Sequence, residues 1–444
     1  MEISMDKEAY PIYDVVGIGF GPSNLSLAIA LDELRSDETG EPPEVAFFEK
    51  NSSFSWHRNM LLPAAKMQVS FVKDLVTFRN PTSPFSFVSY LHERGRLPQF
   101  INNHDFFPTR REFHDYLEWV AARFSDRVAY DARVTEVDLP HEADPERPAD
   151  HVRVRTGTDP VNGRPTYVSA RNVVISTGLV PKMPIGVERD ERVCHSSEFL
   201  ERFRGWDKRA LKRVVVVGTG QSAAEIVRFL YESVPDAEVT AVLPAYGYPI
   251  ADNTPFANQV FDPAAVDDYY YGMDDSKDVL WQYHKNTNYS VVDDEVIRDL
   301  YQRVYADEVV GQERIKFMRL SRVTGVKRVA DDTRVTVHST ATDQVTDIDV
   351  DAVVCATGYE PMDPAGALGG LEKYCVRDER GRYRVERDYR LTTTPHLRCG
   401  IYIQGGTEHT HGLSSSLLSN IAVRSGEIAR SIADGLTAGT VRAS

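Results

Sequence analysis

A glycine-rich segment near the N-terminus has the residue types and spacing that hold a dinucleotide. The octapeptide GIGFGPSN begins at Gly17, directly after a short apolar run and before an amphipathic stretch. Gly17 permits a tight turn and Gly19 lets backbone N–H groups approach a pyrophosphate, while Pro22 suits the first turn of a helix. Glu49 follows the next apolar run, where an acid can bind ribose hydroxyls. The segment therefore predicts a dinucleotide site.

A second glycine-rich segment, GTGQSA, begins at Gly218 after a run of four valines. Gly218 and Gly220 repeat the two glycine roles, and Ala223 takes the third position, as the motif allows. No acidic residue follows the next apolar run, where the chain continues through Pro244 and Tyr246. This disfavours an NAD-type ribose contact, yet an arginine that would bind a 2′-phosphate is missing at the same place. The residues alone leave NADP and NAD open.

Both segments stand in the strand, turn, helix, strand order of a doubly wound sheet. The predicted elements cover residues 13–17, 24–34 and 45–50 in the first unit, and 214–218, 223–232 and 238–243 in the second. Residues 246–306 interrupt this order with polar loops and short helices, which predicts an insertion. The predicted fold is α/β, with two Rossmann-like dinucleotide-binding domains and a small, mostly helical insert.

Composition excludes several classes of function. The 444 residues include 51 Lys and Arg against 66 Asp and Glu, and a net charge of −15 disfavours nucleic acid or an anionic membrane as partner. Four widely spaced cysteines without a CxxC pair argue against a disulfide scaffold or a zinc ribbon. With no apolar run near 18 residues and no apparent secretory signal, we expect a cytoplasmic protein. His409 and His411 lack a third ligand at metal-site spacing, so no metal is predicted.

Two dinucleotide sites without a redox-active cysteine pair are typical of a flavoprotein that passes a hydride from a nicotinamide to FAD and onward to an acceptor such as oxygen. Segments throughout the chain resemble the FAD-dependent N-hydroxylating monooxygenases, most closely the bacterial L-ornithine N5-hydroxylases. The matching segments are 17–31, 56–91 (which contains MQVSFVKDL), 104–119, 218–225, 252–263 (DNTPFANQVFDP), 286–293 (NTNYSVVD), 356–361 (ATGYEP) and 409–428.

The resemblance implies a role for particular residues of this chain. Lys73 matches the lysine that pairs with the substrate α-carboxylate, Asn258 and Asn288 match residues that hold the amino acid, and Ser419 lies near flavin and substrate. The residues expected to bind FAD or NADPH are Gly17, Gly19, Gly21, Pro22, Glu49, Trp56, His57, Met67, Gln68, Gly218, Gly220, Gln221, Ser222, Tyr289, Ser290, Thr357 and Gly358. The chain departs from the family at Ser415 and Ser416, where Asp-Thr is frequent.

The implied chemistry needs no protein nucleophile. NADPH reduces FAD, O₂ adds to give a C4a-hydroperoxyflavin, and a neutral primary amine attacks its distal oxygen. Asn258 and Asn288 suit this task, because a carboxylate beside the amine would keep it protonated, and a dry site lowers the pKa of an ammonium group. The implied activity is L-ornithine N5-hydroxylation for a siderophore or a related peptide.

Two alternatives are also compatible with the sequence. The substrate is then lysine or a diamine such as putrescine, or the protein is a non-catalytic, nucleotide-sensing flavoprotein with the same fold.

The predicted division of the chain is an FAD domain over 1–211 and 351–444, an NADPH domain over 212–245 and 311–350, and a substrate-binding insert over 246–310. The family resemblance also implies a homotetramer.

Overall fold

The computed structural model describes residues 12–34, 43–140, 146–158, 165–284, 287, 289–330 and 332–443. The strands in these ranges are β1 (Ile12–Ile18), β2 (Val45–Phe48), β3 (Val128–Ala129), β4 (Glu136–Asp138), β5 (Val152–Thr158), β6 (Pro165–Ile175), β7 (Val180–Pro181), β8 (Val193–His195), β9 (Arg213–Val217), β10 (Glu238–Val242), β11 (Ile315–Met318), β12 (Ser321–Val329), β13 (Asp332–Ser339), β14 (Val345–Val350), β15 (Ala352–Cys355), β16 (Tyr359–Glu360) and β17 (Gly400–Ile403). The helices are α1 (Pro22–Leu34), α2 (Phe87–Glu93), α3 (Leu97–Asn102), α4 (Arg110–Ala121), α5 (Phe199–Gly205), α6 (Gln221–Ser233), α7 (Pro255–Asn258), α8 (Pro263–Tyr271), α9 (Asp274–His284), α10 (Asp294–Val309), α11 (Ala365–Leu368), α12 (Glu408–His411) and α13 (Ile421–Ala443).

The first sheet carries the N-terminal glycine turn. Its strands lie in the order β3-β2-β1-β6-β5-β4, and β17 also pairs with β6. The C-terminal half of β6 runs parallel to β1 and β17, whereas its N-terminal half runs antiparallel to β5. One long strand is thus shared by a nucleotide-binding sheet and a small meander. Helices α1 and α13 pack against each other beside this sheet.

The second sheet carries the second glycine turn. Its five strands are parallel, in the order β11-β10-β9-β15-β8. The valines of β9 are all buried from Val214 onward, as both faces of a central parallel strand must be covered. A three-stranded antiparallel sheet of β12, β13 and β14 packs on one face through Val335 and Val337.

The predicted fold class is confirmed: a mixed sheet and a parallel sheet each hold a glycine turn at the end of a parallel strand, and α7 to α10 form a mostly helical segment between β10 and β11. The predicted domain bounds stay a prediction, but the sheets divide the chain differently from them. The predicted FAD ranges contain β8 and β15, but both strands lie in the second sheet. The strands of that sheet come from the part of the chain between residues 193 and 355. A parallel strand has its partners far away in sequence, so local patterning does not assign it to a sheet.

None of the helices described is long and apolar enough to cross a membrane. The four cysteines are unpaired and buried. Burial raises the pKa of the Cys194, Cys355 and Cys399 thiols to about 12, so these side chains remain protonated and inert.

Candidate active site

The first glycine turn connects β1 to α1 in a geometry that only glycine allows. Gly19 has a φ of +84°, and a Cβ there would lie 2.4 Å from the carbonyl oxygen of Ser176. Next to it, Gly21 borders open space, with no atom within 4 Å of an added Cβ. Glu49 is buried, and its two carboxylate oxygens accept hydrogen bonds from the backbone N–H groups of Phe20 (2.8 Å) and Asn51 (2.9 Å). A narrow turn, an open space and a fixed carboxylate fit a dinucleotide such as FAD.

A group of buried polar atoms near this turn lacks hydrogen-bond partners. They belong to the segment that runs from the end of β17 into α13, and they are Gln404 Oε1, Thr407 Oγ1, Ser415 Oγ, Ser419 Oγ, Asn420 Oδ1 and Arg424 Nε. The segment is tied to α1, because Gln404 donates to Asn24 Oδ1 at 3.1 Å. Buried polar groups are normally satisfied, so this concentration of unpartnered atoms indicates a polar ligand or water beside the turn. The predicted residue Ser419 is one of them.

The second glycine turn, between β9 and α6, is equally constrained. Gly218 has a φ of +136°, and a Cβ there would lie 2.2 Å from the carbonyl oxygen of Ala356. Ser290 approaches this turn, since its Cα lies 3.6 Å from where a Cβ of Gly220 would be. Ser222 is half-buried in the first turn of α6. The structure thus places Ser290 beside the glycine turn that opens the block 218–225.

A chain of polar contacts connects residues from four of the sequence blocks at this place. Gln68 donates to Asp293 Oδ1 at 3.3 Å, and the Asp293 backbone N–H donates to Gln221 Oε1 at 2.9 Å. Gln221 in turn donates to Glu225 Oε1 at 3.0 Å, and Glu225 forms a bidentate ion pair with Arg110 at 2.8 and 2.9 Å. The predicted residues Gln68 and Gln221 are therefore positioned by one network.

Sequence reasoning missed Arg110, Glu225 and Asp293, although each lies in a segment that matches the family. The available signal was a pair of opposite charges in the blocks TRREF and QSAAE. Only the fold shows that Arg110 and Glu225 meet, because 115 residues separate them.

Lys73 lies half-buried against the insert. Its Nζ is 5.9 Å from the centre of the Phe261 ring, in the DNTPFANQVFDP block. Burial lowers the pKa of Lys73, and the charge of nearby Asp262 opposes that shift. Among the described residues, no carboxylate comes within 4 Å of this ammonium group. An incompletely paired cation in this position can take a carboxylate from a ligand.

The two predicted substrate amides differ in what the structure shows. Asn258 ends α7, half-buried, and its side chain donates to the carbonyl of Thr254 at 3.3 Å, a local helical contact. Asn288 lies outside the described residues. Its neighbour Tyr289 packs on Trp281 at 5.6 Å, and burial raises the pKa of the Tyr289 hydroxyl. Ser290 adopts a left-handed φ of +60°.

The remaining predicted residues surround the two turns. Trp56 contacts the ring of His57 at 4.6 Å, and His57 adopts a left-handed φ of +48°. Met67 is buried in the aromatic core beside α4. Thr357 donates to the carbonyl of Lys182, and Gly358 accepts from the imidazole of His195 at 2.9 Å. Gly17 is buried, and the half-exposed Pro22 is the first residue of α1. The contacts of these two residues do not by themselves indicate a ligand.

The two histidines at metal-like spacing have structural partners. His409 donates through Nε2 to the carbonyl of Tyr383 at 2.9 Å, and His411 donates to that of Arg387 at 3.1 Å. His411 also stacks on Tyr389, with ring centres 4.0 Å apart. Within the described ranges, no three His, Cys, Asp or Glu side chains gather as metal ligands would.

Two sheets whose parallel strands lead into constrained glycine turns, with a mostly helical segment inserted in the second unit, are the fold of a two-dinucleotide-binding flavoprotein. The family model "L-lysine 6-monooxygenase/L-ornithine 5-monooxygenase" matches residues 11–361. The chain belongs to this family of flavin-dependent N-hydroxylating monooxygenases, and the resemblance seen in the sequence is confirmed.

Similar proteins include both solved structures and curated sequences. The ornithine N-hydroxylase of Kutzneria sp. 744, described as a complex with reduced FAD, NADP⁺ and L-ornithine, is 62% identical, with a TM-score of 0.91 over 96% of this chain and 99% of that one. The ornithine hydroxylase of Pseudomonas aeruginosa is 35% identical, with a TM-score of 0.88 over 96% and 100% of the chains. The L-lysine 6-monooxygenase of Pseudomonas syringae is 30% identical, with a TM-score of 0.81 over 95% and 99%.

Proposed function

We propose that this chain is an L-ornithine N5-monooxygenase that uses FAD, NADPH and O₂. The observation that carries the proposal is the 62% identity, over nearly the whole of both chains, to an ornithine N-hydroxylase described with FAD, NADP⁺ and L-ornithine. The lysine 6-monooxygenase is only 30% identical, which favours ornithine over lysine. The product would enter a siderophore or a related peptide.

In this proposal the first glycine turn and Glu49 hold FAD, and the second turn with Ser222, Tyr289 and Ser290 holds NADPH. Bound there, FAD would supply the redox chemistry, as hydride acceptor for NADPH and as the group on which O₂ is activated for transfer of one oxygen atom to the amine. The fixed carboxylate of Glu49 and the close approach at Gly19 support the first assignment.

Lys73 is proposed to bind the α-carboxylate of ornithine. Its partly buried ammonium group faces no carboxylate closer than 4 Å among the residues described, so a substrate carboxylate would complete its pairing. This contact fixes one end of the amino acid, and the length of the side chain then sets how far the reacting amine reaches. Asn258 and Asn288 are proposed to lie beside the substrate, where uncharged amides leave the reacting amine free to lose its proton.

The test is an amine panel with purified, FAD-loaded enzyme. We expect hydroxylamine from L-ornithine, with little from L-lysine, putrescine or cadaverine, and faster turnover with NADPH than with NADH. The matched variants are Lys73→Ala and Lys73→Arg: the first should lose ornithine hydroxylation at least 100-fold, and the second should retain part of it.

Failure of ornithine to give hydroxylamine while a diamine does so would replace ornithine by a decarboxylated substrate. In that case Lys73→Ala should leave activity intact, because a diamine offers no carboxylate. Bound flavin without amine-stimulated NADPH oxidation would instead favour the non-catalytic alternative. Hydrogen peroxide measured beside hydroxylamine separates coupled from uncoupled turnover.

The domain division, the oligomeric state and the cellular location of this chain are proposed on other grounds. The FAD, NADPH and insert ranges given above describe the division that we infer from the nucleotide motifs. A homotetramer rests on family resemblance, and a cytoplasmic location rests on the cysteine usage, with four free, buried thiols. Sedimentation of the purified protein tests the first, and fractionation of the native host tests the second.

A further inference from the structure

A cavity is lined by side chains from residues 58–63, α4, α5 and α6, and none of its lining residues belongs to either glycine turn. Its volume is about 810 Å³, which is within the range of small-molecule sites. None of the residues expected to bind FAD, NADPH or ornithine lines it. We call this space the arginine cavity. Its lining residues are Arg58, Asn59, Leu61, Pro63, Arg111, His114, Leu200, Glu201, Arg204 and Phe229.

Arg58, Arg111 and Arg204 bring three positive charges to the lining, which contains one carboxylate, that of Glu201. Arg58 donates to Ser53 Oγ at 3.3 Å, and Arg111 donates to the carbonyl of Leu61 at 3.4 Å. In the part of the chain that the structure describes, no carboxylate lies within 4 Å of the guanidinium of Arg58, Arg111 or Arg204. Three arginines against one glutamate leave the lining with a net positive charge, in a protein of net charge −15, and this favours an anion in the cavity.

A buried histidine also lines the cavity. His114 is 8% exposed, and its Nε2 atom has no hydrogen-bond partner although it is shielded from solvent. Its Nδ1 atom lies 3.5 Å from Glu118. Because His114 lines the cavity, a ligand or ordered water there would lie next to an imidazole whose hydrogen-bonding capacity is not filled.

Four of the lining residues are apolar. They are Leu61, Pro63, Leu200 and Phe229, and the Phe229 ring packs against aromatic rings of α5. An inorganic anion alone would leave these apolar side chains in contact with water. We propose that the arginine cavity binds an organic phosphate with an apolar or aromatic body, of the size of a mononucleotide, at a site separate from the NADPH site.

The test uses the FAD-loaded enzyme saturated with NADP⁺, so that the nicotinamide nucleotide site is filled. AMP is titrated as the probe by calorimetry, with adenosine and inorganic phosphate in parallel. We expect AMP to bind more tightly than either fragment, because phosphate lacks the apolar contacts and adenosine lacks the charge. Its affinity should fall as NaCl rises, since salt screens exposed arginines.

The double variant Arg111→Gln/Arg204→Gln should weaken AMP binding at least tenfold. The control Arg298→Gln removes an exposed arginine on α10, outside the cavity, and should leave binding unchanged. Flavin absorbance and circular dichroism check that each variant is folded, and the salt dependence of the wild-type enzyme tests the charge without any substitution.

Several results would overturn the proposal. One is the absence of AMP binding at millimolar concentration in the presence of NADP⁺. Another is AMP binding that occurs only without NADP⁺, which would place AMP in the nicotinamide nucleotide site. Equal affinity for adenosine and AMP, or unchanged affinity in the double variant, would remove the role of the arginines.

Discussion

The buried ion pair between Arg110 and Glu225 joins helix α4 to helix α6, and Glu225→Ala tests its contribution directly. The Glu225 side chain is 1% exposed and that of Arg110 12% exposed. The substitution removes two charged hydrogen bonds of 2.8 and 2.9 Å and leaves the guanidinium in place. Breaking one partner of a buried pair typically costs about 3–5 kcal/mol.

For Glu225→Ala we expect a loss of stability near the lower end of that range. Arg110 keeps its hydrogen bond to the carbonyl of Met60 at 2.8 Å, and it also retains a weaker contact with the carbonyl of Lys66 at 3.5 Å. We therefore expect the free energy of unfolding to fall by about 3 kcal/mol, which corresponds to roughly a 150-fold change in the unfolding equilibrium constant. Gln221 loses its acceptor on Glu225 at the same time, so NADPH binding should weaken as well.

The assay is urea unfolding of the FAD-loaded protein, followed by circular dichroism and by flavin fluorescence, because the two nucleotide units can unfold separately. Asp294→Ala is the matched control, since it breaks the exposed pair with Arg298 on α10, and exposed pairs contribute little. A Glu225→Ala protein as stable as this control would refute the reasoning. The double variant Arg110→Met/Glu225→Met should recover part of the loss, because it removes the unpaired charge.

The other predictions concern the two turns, the substrate lysine and one histidine. Gly19→Ala should abolish FAD retention, measured by absorbance, and Gly218→Ala should raise the KM for NADPH while FAD stays bound, because each Cβ would clash with a carbonyl oxygen at 2.4 or 2.2 Å; Gly366→Ala, whose Cβ meets open space on α11 and away from both turns in sequence, is the control. The KM for ornithine should rise with pH as Lys73, whose pKa is lowered by burial, loses its proton, and Lys73→Arg should show no such rise. Burial lowers the pKa of His411 from 6.5 to about 3, so protonation favours the unfolded state; stability should fall by about 1.4 kcal/mol per unit as pH drops from 6.5, measured by urea midpoints, and His411→Gln should lessen that fall.

The strand, turn and helix around each glycine motif could be predicted from sequence because their determinants are local. The apolar run of β1, the glycines after it and the helical spacing of α1 lie within 23 consecutive residues. The same holds for β9 and α6. The predicted bounds of these elements differ from the observed ones by at most two residues.

What the sequence could not supply are the pairings between distant segments. The contact of Arg110 with Glu225 depends on how α4 meets α6, and neither block carries a periodic signal for it. Membership of β8 in the second sheet depends on its parallel pairing with β15, about 160 residues later. The unpartnered atoms of Ser415 and Ser419 depend on burial, which a serine-rich sequence does not predict.

The pairing of β6 with β17 also constrains how the chain can be made. Asn172 of β6 pairs with Gly400 of β17, so one side of the nucleotide-binding sheet stays incomplete until the last tenth of the chain has emerged from the ribosome. At about 5–20 residues per second, synthesis of the chain between the end of β6 and the start of β17 lasts roughly 10–45 s. The second sheet is synthesised entirely within this interval, between residues 193 and 355, and is complete first. The C-terminal segment therefore acts as the closing step of assembly: nascent chains that end before residue 400 expose an unpaired strand edge, a surface that chaperones must protect.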